Sequence, residues 1–383
     1  MISRLLSPVL KNSPKSCLLL GPRQCGKTTL IRALEPELEI NLARESVFLD
    51  YQSQPDLLES QILESGAKTI FIDEVQRVPA ILNSVQAILD APGGKRFKFY
   101  LTGSSARKLK RGHANLLPGR VFSYHLAPLS LLELQKQNTR SIQKMGTLPE
   151  IFSLDPRHQE DFLRSYAGTY LKEEIQAEAL TRDLPGFSRF LKIAAAHVGG
   201  HVDFTKWASL AQIKRHSCAN YYGILEDTLI VYRVDPFPSS TGKRLIQHPK
   251  YYFFDNGVLN GLLGSFHLSE DRKGMLFENL VASQIFATAF AFNIPIEVHS
   301  YRTEHGGEID LLIHRLDSDR YYAVECKAGR NVGKTDVQYL LRFKEEFSKK
   351  NLTPLVIFDG ERALKTAGIS CLGLGSALEL IFG

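Results

Sequence analysis

The sequence predicts an α/β chain of several domains: a parallel-sheet core that binds phosphates, a helical connector, a helix-turn-helix with a β-rich tail, and a C-terminal α/β domain. Three observations carry this expectation. Residues 17–34, CLLLGPRQCGKTTLIRAL, are an apolar run, a glycine-bounded loop and an amphipathic helix. Two further apolar runs, AKTIFIDEV and RFKFYLTGSS, end in polar residues, as buried parallel strands do at the sheet edge where ligands bind. Far downstream, residues 306–329, GGEIDLLIHRLDSDRYYAVECKAG, set three acids and a lysine on two apolar runs joined by a polar bend.

Length supports the multi-domain reading, because 383 residues exceed what one compact core usually holds. A composition of 44% hydrophobic and 23% charged residues is that of an ordinary folded chain. The net charge of +6 permits a nucleic-acid or acidic-lipid partner without demanding one. Five widely spaced cysteines with no CxxC pair argue against both a disulfide framework and a zinc site, and fit a reducing cytosol. The N-terminus lacks a long apolar core before a small-residue cleavage site. The longest uncharged stretch, Asn279 to Ile296, carries Ser283, Gln284, Asn293 and Pro295 and reads as a buried helix, not a membrane span. A cytoplasmic protein with no membrane partner is expected.

In the first segment Gly21, Gly26, Lys27 and Thr28 satisfy GxxxxGK(S/T). The glycines let the backbone from Gly21 through Pro22, Arg23, Gln24, Cys25 and Gly26 to Thr29 turn its N–H groups toward a polyphosphate such as ATP, at the positive end of the helix. Lys27 would bridge the β- and γ-phosphates and Thr28 would ligate Mg²⁺. Asp73 ends the second run where a carboxylate can hold the Mg²⁺ shell, and Glu74 is placed to orient or deprotonate the attacking water. The third run sets Thr102, Ser104 or Ser105 at the same edge, one of them to sense the γ-phosphate. Cys25, inside the loop, is either a small residue in a tight turn or a thiol whose oxidation would crowd the phosphates.

From about Pro128 to Pro185 the chain is rich in Leu, Glu, Lys and Gln at helical spacing, and no chemistry is assigned to it. The stretch from Phe187 to Phe237 then reads as helix, short strand, helix, turn, helix and a β-rich run, the order of a winged helix-turn-helix. Residues 214–225 would be its recognition helix, with Lys214, Arg215 and Asn220 suited to phosphate and base-edge contacts on double-stranded DNA. Glu226 and Asp227 temper that basic character, and a partner-binding role stays open.

In the C-terminal stretch a hairpin symmetric about Asp317 and Ser318 sets Asp310 opposite Glu325 and Glu308 opposite Lys327, all on one face. Two carboxylates roughly 5 Å apart suit a hard divalent cation, and a nearby lysine can steady a water or a phosphate oxygen.

LLLGPRQCGKTTL, FIDEVQRVP, LTGSSARKL and LPGRVFSYHLAPLSLLEL together resemble the bacterial and archaeal AAA+ ATPases that carry an uncharacterised C-terminal domain. The likeness covers nearly the whole chain. It implies an AAA+ core over 1–135, a helical lid over 136–185, a winged helix over 186–245 and a restriction-endonuclease-like α/β domain over 246–383. It makes Arg120 the candidate arginine that stabilises transition-state charge, in a homo-oligomer across the subunit interface; a surface salt bridge is its other reading. The hairpin resembles the PD-(D/E)XK nuclease pattern, with Asp310 as the aspartate, Glu325 and Lys327 as the ExK pair, Glu278 as the upstream helix glutamate, and Gln338 as a weaker addition. That site implies Mg²⁺ or Mn²⁺ on Glu278, Asp310 and Glu325. HPKYYFFDNGVLNGLL, with Lys250 and Asp255, resembles the joining stretch, and Asp255 stays outside the site. The function implied is ATP hydrolysis coupled to action on DNA, with metal-dependent cutting at the C-terminal domain. The alternatives are an ATP-switched DNA-binding scaffold with an inactive nuclease-like fold, and a protein-remodelling ATPase.

Overall fold

The computed structural model describes residues 2–54, 56–104, 117–134, 138–170 (backbone only at 169 and 170), 183–238, 248–303, 306–348 and 350–383. Two compact units share the chain. One comprises Met1–Pro128, Asp227–Leu229 and Phe290–Asn293; the other comprises Leu129–Glu226, Ile230–Ala289 and Ile294–Gly383. The expected breaks at 135/136 and 245/246 fall outside the described residues, and that at 185/186 falls inside a helix that starts at Leu184.

The first unit is built on five parallel strands: β1 (Ser16–Leu20), β2 (Leu38–Asn41), β3 (Thr69–Asp73), β4 (Lys98–Gly103) and β5 (Val121–His125), in the spatial order β2-β3-β4-β1-β5. Helices α1 (Ser7–Lys11), α2 (Lys27–Arg32), α3 (Glu45–Ser53), α4 (Leu57–Ser65) and α5 (Ile81–Asp90) accompany them. Alternation explains why the central strands are apolar throughout. Leu18, Ile70, Ile72 and Leu101 pack on one face with Val85 of α5, and Cys17, Leu19, Phe71 and Tyr100 pack on the other with Ile31 of α2. Because β4 lies between β1 and β3, the loops after all three strands open at one sheet edge.

The second unit begins with helices started by short acidic or amide side chains. Asn138 caps α6 (Thr139–Met145), Asp155 caps α7 (Pro156–Ser165), Asp183 caps α8 (Leu184–Ala196) and Asp203 caps α9 (Phe204–Ala211), each accepting a first-turn backbone N–H. A π-helical turn, Tyr166–Tyr170, extends α7. After α9 come α10 (Arg215–Asp227) and the antiparallel strands β6 (Val231–Pro236) and β7 (Lys250–Phe253), with a bridge from His201 to Lys250. This is the helix and strand order read from the sequence. Aromatic packing locks it: Tyr222 of α10 meets Phe190 of α8 edge-on at 4.9 Å and stacks on Tyr251 of β7 at 4.2 Å.

The two strands after α10 do not stand apart as a wing. β6 runs parallel to β8 (Ile296–Arg302) at Asp235–His299 and Pro236–Ser300, which places both strands in an eight-stranded mixed sheet ordered β12-β13-β11-β10-β9-β8-β6-β7. The other strands are β9 (Glu308–Arg315), β10 (Arg320–Lys327), β11 (Leu352–Phe358), β12 (Leu364–Thr366) and β13 (Ile369–Gly373). Helices α11 (Asn256–Leu263), α12 (Glu270–Phe292), α13 (Lys334–Glu346) and α14 (Leu374–Phe382) complete the unit. Helix α12 is long and apolar enough to cross a bilayer, yet 72% of its most apolar window is buried. Its buried polar groups are paired: the Asn279 amide accepts from Phe253 N at 2.7 Å, and Gln284 accepts from Leu131 N at 2.7 Å. β9 and β10 form the expected hairpin, paired from Arg315–Arg320 to Leu311–Val324.

Candidate phosphate-binding and carboxylate sites

Each unit holds one cluster of chemistry-bearing side chains. In the first, the loop between β1 and α2 is shaped by backbone that only a few residues tolerate. Gly26 caps α2 with φ 94°, and Gln24 is also left-handed at φ 58°. A side chain at Gly21 would collide with the carbonyl of Leu126. Lys27 is 5% exposed, and its Nζ donates to the carbonyls of Gly21 at 2.8 Å and Pro22 at 2.9 Å. Arg4, which sequence reasoning overlooked, braces the loop from behind by donating to Cys25 O at 2.7 Å and Ala127 O at 2.9 Å.

Thr28 Oγ1 donates to Asp73 Oδ2 at 2.9 Å, so the two expected Mg²⁺ ligands already lie side by side. Thr102 Oγ1 donates to the other Asp73 oxygen and accepts from Glu74 N at 3.3 Å. Glu74 takes a left-handed conformation, φ 60°, and its carboxylate accepts from Gln76 Nε2, which also donates to Ser104 Oγ at 3.0 Å. Thus Ser104 reaches Glu74 through Gln76, and Thr102 is the hydroxyl that touches Asp73. Ser105 lies outside the described residues. Gln76, 3% exposed beside two acids, was also missed, although a polar residue directly after DEV was the available signal.

Two residues of this unit carried two readings each. Cys25 is wholly buried in the apolar cluster with Leu19 and Ile31, its Sγ donates to Pro22 O at 2.9 Å, and burial pushes its thiol up, the opposite of what a reactive thiolate needs. Arg120 is clamped by Asp90 in its own chain, Nε to Oδ1 at 2.6 Å and Nη2 to Oδ2 at 2.7 Å, the surface salt-bridge reading.

In the second unit, the hairpin register makes Asp310 and Glu325 the next residues beyond the Leu311–Val324 pair, as expected. Asp310 Oδ2 accepts from Cys326 N at 2.8 Å. Burial raises the Asp310 carboxyl well above its usual range, and the charges of Glu278 and Glu325 add to this. Burial raises Glu325 too, against the opposing pull of Lys327. The expected Glu308–Lys327 pairing is replaced. Lys327 Nζ turns to Glu325 at 3.0 Å and Asp336 at 3.6 Å, while Glu308 receives Lys250 Nζ at 3.0 Å.

Lys250 was given no role in the site from sequence, and the structure puts it inside. It is 3% exposed, and its Nζ also lies 3.4 Å from Glu278 Oε1, which accepts from Tyr252 OH at 2.6 Å. Burial alone would lower the Lys250 pKa, but Glu278, Glu308 and Asp310 outweigh it and raise the net value. Burial would raise Glu308, but Lys250, Arg302 and His201 together bring it below its usual range. Gln338 stands on the exposed face of α13. Among the described residues, no group of three or more His, Cys, Asp or Glu side chains is placed to hold a metal ion. The set expected to hold a divalent ion, Glu278, Asp310 and Glu325, is not such a group; Glu278 and Glu325 instead face the ammonium groups of Lys250 and Lys327.

At the start of α10, Lys214, Arg215 and His216 are exposed, whereas Asn220 is half-buried. The helix spans Arg215–Asp227, starting one residue later and ending two later than read from the sequence.

Residues 13–135 match the family model of an AAA domain. That domain holds the whole phosphate-binding cluster, and the first unit is accordingly an AAA-type P-loop domain, a class that binds ATP and Mg²⁺. Residues 138–269 match a domain of unknown function (DUF8612), and residues 273–376 match a second (DUF4143). An uncharacterized protein of Mycobacterium tuberculosis is 28% identical over 321 residues, 81% of this chain and 69% of its own. An uncharacterized protein of Methanocaldococcus jannaschii is 24% identical over 306 residues, 73% of this chain and 64% of its own. Among solved structures, a Signal Transduction ATPase with Numerous Domains (STAND) protein with a tetratricopeptide repeat sensor, from Pyrococcus horikoshii, aligns at 14% identity over 75% of this chain, with a TM-score of 0.23. This chain spans 47% of that structure's length, and so loose a superposition carries no argument.

Proposed function

We propose that this chain is a cytoplasmic, homo-oligomeric ATPase whose nucleotide cycle acts on double-stranded DNA, with the C-terminal carboxylate site serving recognition and not strand scission. The observation that carries the ATPase half is the convergence of Lys27, Thr28, Asp73 and Glu74 at one sheet edge. ATP would lie along the loop amides from Pro22 to Thr29, with Lys27 leaving the Gly21 and Pro22 carbonyls for the β- and γ-phosphates. Thr28 and Asp73 would hold Mg²⁺, which neutralises charge on the phosphate oxygens when bound. Glu74, released from Gln76, would orient the attacking water and accept its proton.

The DNA half rests on the exposed Lys214, Arg215 and His216 at the start of α10, where cationic side chains and the helix's first N–H groups suit phosphate oxygens. The test is ATP turnover with and without duplex DNA, for the native chain, Lys27→Ala and Lys214→Ala/Arg215→Ala. Lys27→Ala is expected to abolish turnover. The double variant is expected to lose DNA stimulation and to bind duplex with a salt slope about 2 units shallower. Turnover that ignores DNA in the native chain would shift the reading to a protein partner.

A further inference from the structure

The carboxylate site of the second unit carries its own counter-ions. Glu278, one of the acids expected on a divalent ion, and Glu308 each turn an oxygen to the ammonium of Lys250, at 3.4 and 3.0 Å. Those are ammonium-to-carboxylate separations, whereas a hard divalent ion needs oxygens at about 2.0–2.6 Å. Lys250 is not a surface lysine that swings in. It is 3% exposed, and its strand pairs with β6 through Val234 and with His201 through an isolated bridge. Two residues on, Tyr252 gives Glu278 a second donor, and Arg302 Nε approaches the other Glu308 oxygen at 3.6 Å. The remaining acids are engaged as well: Asp310 by the backbone N–H of Cys326, Glu325 by Lys327. A divalent ion entering here would meet a fixed positive charge beside it and would have to compete with these donors for one oxygen of each acid.

We infer that Lys250 is the resident cation of this site, holding Glu278 and Glu308 in place of a divalent metal, so that the C-terminal domain keeps its site assembled without one. Lys250 is a positioning residue in this role. The inference deepens the non-cutting half of the proposed function and stands whether or not the P-loop hydrolyses ATP.

The test is Mn²⁺ binding to the full, nucleotide-free chain, followed by electron paramagnetic resonance of the free ion. The native chain and Asp310→Asn/Glu325→Gln are expected to bind Mn²⁺ alike, because the carboxylates add no site. A loss of at least tenfold in affinity for one ion in the double variant would overturn the inference. Lys250→Met keeps the stem and removes the charge; it is expected to gain one Mn²⁺ at least tenfold tighter than any ion the native chain holds. Adding Asp310→Asn to Lys250→Met should remove that ion. A folded Lys250→Met that gains nothing overturns the assignment to Lys250. If Lys250→Met does not fold, the comparison of the native chain with the double carboxylate variant still decides the inference. A failed ATPase reading would show separately, as turnover that survives Lys27→Ala.

Discussion

Thr102→Val is the sharpest perturbation of the P-loop unit, because Thr102 touches neither nucleotide nor water in the proposed reaction and yet holds both acids. Its hydroxyl is wholly buried; it donates to Asp73 Oδ1 and accepts from Glu74 N at 3.3 Å. Valine keeps the shape and removes both bonds. Losing a hydrogen bond to a charged carboxylate costs about 1.5–3 kcal/mol, and the long bond from Glu74 N adds about 1, so a destabilisation of about 2.5–4 kcal/mol is expected. Asp73 keeps only its bond from Thr28, and partners that orient a metal ligand are typically worth about 10–100-fold in metal affinity or activity. The assay pairs urea unfolding with ATP turnover across a Mg²⁺ titration. The Mg²⁺ dependence should shift to higher concentration along with the fall in turnover. A folded Thr102→Val with native turnover and a native Mg²⁺ dependence would refute the claim that Thr102 sets Asp73.

Three further outcomes follow from particular contacts. Arg120→Ala and Asp90→Ala break the same exposed ion pair and should leave thermal stability nearly alike; an arginine serving a neighbouring subunit predicts that only Arg120→Ala lowers turnover, by at least about tenfold, and equal rates would reduce Arg120 to its surface pair. Burial lifts Asp255, the cap of α11, to about 6, despite the backbone N–H groups of Thr147 and Val258. With a folded value above the unfolded one of about 3.9, its contribution is fully present below about pH 4 and is lost as pH rises to about 6, roughly 3 kcal/mol in all. The stability of the native chain relative to Asp255→Asn, from urea midpoints, should therefore improve by that amount on going from pH 7 to pH 4, and a flat difference would sink the assignment. Cys25→Ser should leave inhibition of turnover by mild peroxide unchanged, since the Cys25 thiol is buried and its pKa raised; protection by the serine would restore the redox reading.

The P-loop was legible because phosphate binding is done by consecutive residues. Gly21 through Thr29 must lie together on one turn, and Asp73 and Glu74 must end a strand beside it, so spacing and apolar runs carry the geometry. What holds that geometry was not legible. Arg4 reaches Cys25 O and Ala127 O across 21 and 123 residues, and Gln76 reaches Ser104 across 28. Such contacts leave no periodic mark. Arg120 stayed open for a different reason: the motif around it is compatible with either role, and the position of Asp90 on α5 shows the partner it has within one chain.

The C-terminal hairpin divides along the same line. Its register followed from the symmetry of two apolar runs about a polar bend, because a slip by one residue would move every side chain of the strand to the other face of the sheet. Adjacency of Asp310 and Glu325 came with the register. The partners of the flanking charges did not, since opposite backbone positions do not oblige long side chains to meet. Lys327 bends back to Glu325 two residues away, and Glu308 is neutralised by a lysine 58 residues earlier in the chain. An aspartate followed by ExK therefore specifies two carboxylates side by side but leaves open which cation answers them. In this chain that choice is made by β7, which pairs in the C-terminal sheet with β6, a strand expected to belong to the winged helix. The boundary expected at 245/246 separates β6 from β7, yet the two strands pair in one sheet, and β7 is the strand that brings the ammonium.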